Sequence, residues 1–261
     1  MIFTAALREI AHHRPSAVRL LCIPLIVTIV VELLYTLSPH RDPQSDNIGL
    51  SILSGVVAYG AVGWIAVGWH RLRLMGEHAG LLPRAPLRVL MRYVIEWLIL
   101  GILIALILLA VGGAAYLVVM ALAPDPLTEQ VIYGLWTDTI LGPVSILPIT
   151  AFTWLLFRFG ISLPHLAIEG DARLGMRQAW RRTRPLAWTI FRAGLFAGIV
   201  QWAVGVLPLQ LVYGSDLFTT PEGEIILAGE IVFALAYAFV YTGIPLVGAA
   251  ILTVIYARTD A

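Results

Sequence analysis

The stretch WLILGILIALILLAVGGAAYLVVMALAP, from Trp97 to Pro124, contains no charged side chain. A bilayer's hydrocarbon core is ~30 Å thick and is crossed by ~20 apolar residues in helical form. The run is longer than that and continuously apolar. A strand of a membrane barrel would instead alternate apolar and polar positions. Backbone groups in lipid must find partners within the segment, and a helix supplies them. The reading of this stretch is therefore a transmembrane helix.

Outward from it, the pattern repeats. Runs free of Asp, Glu and Arg extend over Asn47–His70, Thr139–Phe157, Ala193–Ser215 and Ile231–Ala257, and Leu20–His40 is interrupted only by Glu32. This predicts an all-α polytopic membrane protein with six spans at about 17–38, 49–70, 94–122, 139–160, 186–213 and 226–256, accompanied by short interfacial helices. One membrane domain covers residues 1–261. Composition agrees: 59% of residues are hydrophobic and 13% are charged, with mean hydropathy +0.88, where soluble domains carry ~25% charged residues. A soluble globule, a disordered chain, a collagen-like fibre and a disulfide scaffold are all excluded. The single cysteine, Cys22, reads as a small apolar residue.

The net charge of +1 is uninformative, but its distribution is not. All 17 basic residues are arginine, a bias that often accompanies a GC-rich genome. Every one except Arg41 falls on the N-terminus, the 71–93 and 158–192 connections, or the C-terminus. Basic residues stay on the cytoplasmic side. Both termini are expected inside, in a bacterial inner membrane. The first apolar run contains Pro24 and Glu32 and lacks a small-x-small cleavage site, so it reads as a retained span.

Residues 1–14 read as an amphipathic helix with Ile2, Phe3, Ala6, Leu7 and Ile10 on one face, ended by Pro15. It either lies in the headgroup plane or packs against the bundle. Arg84, Arg88 and Arg92 are spaced four apart and predict one basic helical face. Arg173, Arg177, Arg181 and Arg184 repeat the device, with Met176, Ala179, Trp180 and Thr183 facing away. Both sets are candidate contacts for anionic headgroups, each basic group contributing ~1 kcal/mol; the other reading is that they only fix topology. Membrane lipids are thus the expected partners, anionic on the cytoplasmic side, and nucleic acid is not expected.

Small residues crowd span two, and Gly194 and Gly198 form a G-x-x-x-G pair in span five, predicting close helix contacts. Pro24, Pro143, Pro148, Pro208 and Pro245 punctuate spans, with Gly243 and Pro245 bending the sixth. Three acids sit at membrane depth: Glu32, Glu96 and Glu230. Glu96 has Arg92 four positions earlier, and Glu230 is near outer water. A carboxylate in hydrocarbon faces a partner or water, which makes Glu32 the candidate functional acid. With Gln201, Gln210, Tyr237 and Tyr241 it forms a candidate intramembrane polar site. His70, Arg71 and Glu77 form a candidate cytoplasmic cluster, beside Arg73 and His78. No metal-ligand spacing, phosphate loop or nucleophile motif is present. No cofactor or metal is expected, and no catalytic residue is assigned.

Leu163-Pro164-His165-Leu166-Ala167-Ile168-Glu169-Gly170, followed by Ala179-Trp180-Arg181-Arg182-Thr183, resembles a segment of bacterial six-helix membrane proteins. These are related to the membrane domain found beside some glycerophosphodiester phosphodiesterases. Trp69-His70-Arg71 with Gly76-Glu77 is similar to a string in uncharacterised proteobacterial relatives. The resemblance implies the six-helix plan. It implies no hydrolysis, since the phosphodiesterase domain is not in these 261 residues, and it carries over no catalytic residue. The expected role is a non-enzymatic membrane scaffold or lipid-associated accessory protein. The alternatives are a small-solute or lipid transporter using the polar site, and an intramembrane enzyme acting on lipid through a convergence of His70, Glu77 and arginines.

Overall fold

The computed structural model describes residues 1–37, 48–78, 80–81, 84–122, 146–170, 174–213 and 226–259, without the side chains of 48, 115–116, 118–122 and 206–213. Among these residues the chain is helical, with no strand. The elements are α1 (Ile2–His12), α2 (Arg14–Thr36), α3 (Ile48–Met75), α4 (Leu87–Leu122), α5 (Ile146–Phe159), α6 (Ser162–Glu169), α7 (Met176–Thr183), a 3-10 turn (Arg184–Leu186), α8 (Ala187–Tyr213) and α9 (Leu227–Thr259). The protein is an all-α polytopic membrane protein. Helices α2, α3, α4 and α9, and the segment running from α7 through α8, are each long and apolar enough to cross a membrane. A sixth crossing is made if α5 and α6, bent by 42° at Gly160–Ile161, count as one span.

Local sequence explains the breaks. Pro15 sits in the first turn of α2, where its missing N–H costs no hydrogen bond. Gly76 and Gly170 follow α3 and α6 with φ of 69° and 72°, a left-handed conformation that glycine adopts without a Cβ clash. Residues 139–145 of the predicted fourth span lie outside the described residues. Its predicted end at residue 160 is not where the apolar chain stops. Helix α6 continues into the core, with Leu163, Leu166 and Ala167 fully buried. Residues 162–169, read as part of a connection, send Leu163, Pro164, Leu166 and Ala167 into the interior. Their own apolar content drives this, at ~25 cal/mol per Å² removed from solvent.

Helix α8 lies along α5. A Cβ on Gly194 would stand 3.1 Å from the Trp154 backbone nitrogen, and one on Gly198 would stand 2.7 Å from Thr150 Oγ1. The G-x-x-x-G pair thus makes an intramolecular contact. In α3, Gly63 meets Val94 of α4 and Gly68 meets Leu20 of α2. Helix α1 packs against the bundle rather than lying apart from it: Ile2, Phe3 and Ala6 are buried, and the Phe3 ring sits 4.5 Å from that of Phe196. Arg73 ties it down, pairing with Glu9 and contacting His13. Burial, then the Arg73 and His12 charges, lower the His13 pKa, and Glu9 opposes them. By contrast α4 exposes Ile99, Ile102, Leu106, Ile107, Leu109 and Val111, the face a lipid-solvated helix presents.

Candidate functional site

The arginine-rich end of the bundle is built around the two ends of α6. The last four carbonyls of a helix lack intrahelical partners and carry its negative dipole end. Arg71, from the last turns of α3, donates from Nη1 to Ala167 O at 3.1 Å. Arg92, from α4, donates from Nη1 to Gly170 O at 3.2 Å. Two cations therefore satisfy the α6 terminus. Each is held in turn by an acid. Arg71 Nε donates to Glu77 Oε2 at 2.9 Å, and Arg92 Nε lies 3.6 Å from Glu96 Oε1. The Arg71 hydrogen bond, opposed by burial, keeps the Glu77 carboxyl below its usual 4.5. Gly76 makes that return possible by turning the chain so that Glu77 faces Arg71.

His70 points away from this pair, into the interior. It is fully buried. Its Nδ1 lies 2.8 Å from Thr253 Oγ1 and its Nε2 lies 3.0 Å from Tyr93 Oη. Thr253 already donates its proton to Ala249 O at 2.8 Å. Thr253 must therefore accept, so Nδ1 carries the ring proton and Nε2 accepts from the Tyr93 hydroxyl. This assigns one tautomer from the donor and acceptor inventory. The result is a directed chain, Tyr93 to His70 to Thr253 to Ala249, joining α4, α3 and α9. Beside it His165 of α6 lies 3.0 Å from Tyr256 Oη and 3.5 Å from Glu169.

Arg158, which sequence reasoning counted only as a topology charge, is the most enclosed arginine of this end. It is 4% exposed. Its Nε donates to Thr183 Oγ1 at 3.2 Å, and its Nη2 donates to Trp180 O at 3.0 Å. The guanidinium stacks 3.4 Å from the Trp180 ring centroid, with Trp154 at 5.6 Å. The cation is thus held by the carbonyl end of α7 and by indole faces. The signal was in the sequence: Arg158 is the one charge between two apolar runs, and the span was ended at about residue 160 rather than read on into the second run.

The remaining predicted groups fall as follows. Arg84 precedes α4, whose first residue is Leu87, so Arg84, Arg88 and Arg92 do not share one continuous helical face. Pro86 lies between Arg84 and the helix body, and proline cannot continue a helix toward its N-terminus beyond the first turn. Arg173 lies outside the described residues, and Arg184 opens the 3-10 turn. Arg177 and Arg181 lie exposed on α7, while Ala179 and Thr183 are buried behind them. Of the polar set, Glu32 Oε1 accepts from Ser54 Oγ at 2.7 Å. Tyr237 and Tyr241 have ring centroids 4.0 Å apart, with Glu32 and Tyr59 in electrostatic reach of Tyr237. Gln201 borders a different feature, and the side chain of Gln210 lies outside the described residues.

That other feature is a central cavity of about 430 Å³. Its wall is largely apolar, formed by Val62, Trp97, Leu156, Val200 and Ile244 among others, with Phe3 of α1 and Gly243 and Pro245 of α9 also lining it. None of Glu32, Tyr237 and Tyr241 lines it. Among the described residues no three His, Cys, Asp or Glu side chains gather as a metal site requires. No protein-family model, curated protein or solved structure matches the chain.

Proposed function

We propose that the chain is a bacterial inner-membrane protein, with both termini cytoplasmic, that acts as a lipid-associated accessory or scaffold protein rather than an enzyme. The central cavity carries this reading. Its ~430 Å³ falls within the ~300–1,000 Å³ range of small-molecule pockets, and its wall suits a hydrocarbon chain. The titratable groups nearest the arginine-rich end support it too: His70, Arg71, Glu77 and Arg158 each spend their hydrogen bonds holding helices together. The kinship with the membrane domain found beside glycerophosphodiester phosphodiesterases is part of the proposal.

Native mass spectrometry after gentle extraction tests the reading. Co-purified lipid is expected, and Ala197→Phe, which places a ring in the cavity, is expected to reduce it. A chain that leaves the bilayer free of lipid while still folded refutes it. Reporter fusions after residues 80 and 175 test the orientation; both should report the cytoplasm.

One observation favours lipid transport as a second reading. Pro245 sits inside α9 beside the cavity, where it removes a backbone hydrogen bond from the helix ladder. Lipid movement between leaflets of proteoliposomes, abolished by Pro245→Ala, would select it over a static role.

A further inference from the structure

A second cleft opens on the outside of the bundle between α4 and α7, with a volume of about 570 Å³. One wall is Leu100, Leu103, Ile104 and Ile107 of α4; the other is Met176 and Trp180 of α7, with Phe159 between them. The α4 residues run along two helical turns, about 10 Å. The walls are not sealed against one another: Met176 is 51% exposed, Trp180 37% and Ile107 50%. The cleft is therefore open to whatever solvates the helices, which for this protein is lipid.

Its mouth carries the only strong polarity. Arg177 and Arg181 line it, one turn apart on α7, so that their Cβ atoms are ~5–6 Å from each other. No hydrogen bond or ion pair within the described residues engages either guanidinium. Arg158 stands behind the Trp180 ring, and the partners that fix it are carbonyl, hydroxyl and indole groups rather than carboxylates. Two positive charges thus line one rim of an apolar slot, with a third, buried one behind the Trp180 ring. A planar guanidinium presents parallel donors matched to phosphate oxygens.

We infer that this cleft seats one anionic glycerophospholipid, its phosphate between Arg177 and Arg181 and one acyl chain along Leu100, Leu103, Ile104 and Ile107. This rests on the lipid-associated reading of the protein and gives it a headgroup class and an address distinct from the central cavity. Charge complementarity selects the occupant: a zwitterionic lipid offers the same chain but returns a positive group to a rim that is already cationic.

The full-length protein is reconstituted in nanodiscs of mixed phosphatidylglycerol and phosphatidylcholine, and lipid carried into the gas phase is identified by native mass spectrometry. The wild type is expected to enrich phosphatidylglycerol. The double variant R177Q/R181Q should lose roughly tenfold or more of that preference, and L103W, which fills the slot, should lose the bound lipid while keeping the arginines. R8Q, which removes an exposed charge of α1, should behave as wild type. Thermal midpoints verify that each variant is folded. Unchanged preference in R177Q/R181Q, retention of the lipid by L103W, or an equal loss in R8Q overturns the cleft site while leaving lipid in the central cavity intact. No lipid on the wild type at all overturns both the site and the reading beneath it.

Discussion

Helices α6 and α7 are each eight residues long and are separated by only six residues. They have opposite fates. α6 is interior, and its carbonyl end draws in Arg71 and Arg92 from two other helices. α7 is a surface helix that buries Ala179 and Thr183 and leaves Arg177 and Arg181 facing outward. An arginine at a membrane boundary is thus either a fastener or a free charge. Its distance from the span does not decide which. What decides is whether an unsatisfied helix end stands opposite, because only that returns enough electrostatic energy to offset desolvation of the guanidinium.

The largest test of this contrast is Arg158. Placing an arginine in a membrane helix costs ~2.5–3.5 kcal/mol. Two charge-assisted hydrogen bonds at ~1.5–3 kcal/mol each, with ~2 kcal/mol from a desolvated cation–π contact, exceed that cost. Arg158→Ala should destabilise the fold by about 2–4 kcal/mol, read by SDS-titration unfolding in mixed micelles. Arg158→Lys keeps the charge but not the two-donor fork, and should recover only part of the loss. If alanine is neutral, the arginine is not a fastener.

Next in size is the Arg71–Glu77 pair. Arg71→Ala frees a carbonyl at the α6 terminus and should cost about 1–2 kcal/mol. Glu77→Gln tests the same contact through pH. The folded carboxyl is held below 4.5 chiefly by its hydrogen bond to Arg71. Its stabilisation is therefore fully present above pH 4.5 and is lost as pH falls through the folded value. The wild type should lose stability on that acid limb, and E77Q should not show this contribution. Identical acid limbs would place the pair's energy elsewhere.

These residues also mark what could be read in advance. The long spans were legible because a charge-free apolar run has a single physical solution in lipid: α2, α8 and α9 end within about three residues of their predicted places, while α3 runs five residues further and α4 begins seven residues earlier. The Arg92–Glu96 pair was legible because four-residue spacing puts both groups on one helical face. The α5–α6 break was not, since the first apolar run was ended just past Arg158 and the second, α6, was read as connection. His70 was grouped with Arg71 and Glu77 on chain proximity. Adjacent residues of a helix point 100° apart, and the partner that orients His70, Thr253, is 183 residues distant; no local pattern encodes that.

Within the interior, Thr253→Val should leave the His70 Nδ1 proton without an acceptor. Polar contacts between membrane helices average ~0.6 kcal/mol and reach ~1.7, so a loss near 1 kcal/mol is expected. Tyr93→Phe should cost about as much, and the double variant less than the sum, because both act through one imidazole. Strict additivity would show that the two bonds are independent and that the directed chain is not a unit.

The smallest expected effect is the other half of the comparison. R177Q/R181Q should shift folding stability in an uncharged detergent by less than ~0.5 kcal/mol. Glutamine and arginine have similar helix propensities, so α7 keeps its backbone preference. The exchange alters charge without removing any hydrogen bond within the described residues. Ala179 and Thr183, which anchor α7, are untouched, and Thr183 continues to hold Arg158. A loss above ~1 kcal/mol would mean that these arginines have protein partners after all. The boundary between fastener and free charge would then dissolve, because α7 would be using its cations as α6 uses those of its neighbours. A null effect in uncharged detergent alongside a measurable one in anionic micelles would instead locate their energy in the surrounding amphiphile, where a guanidinium at the edge of an apolar slot finds its counter-charge.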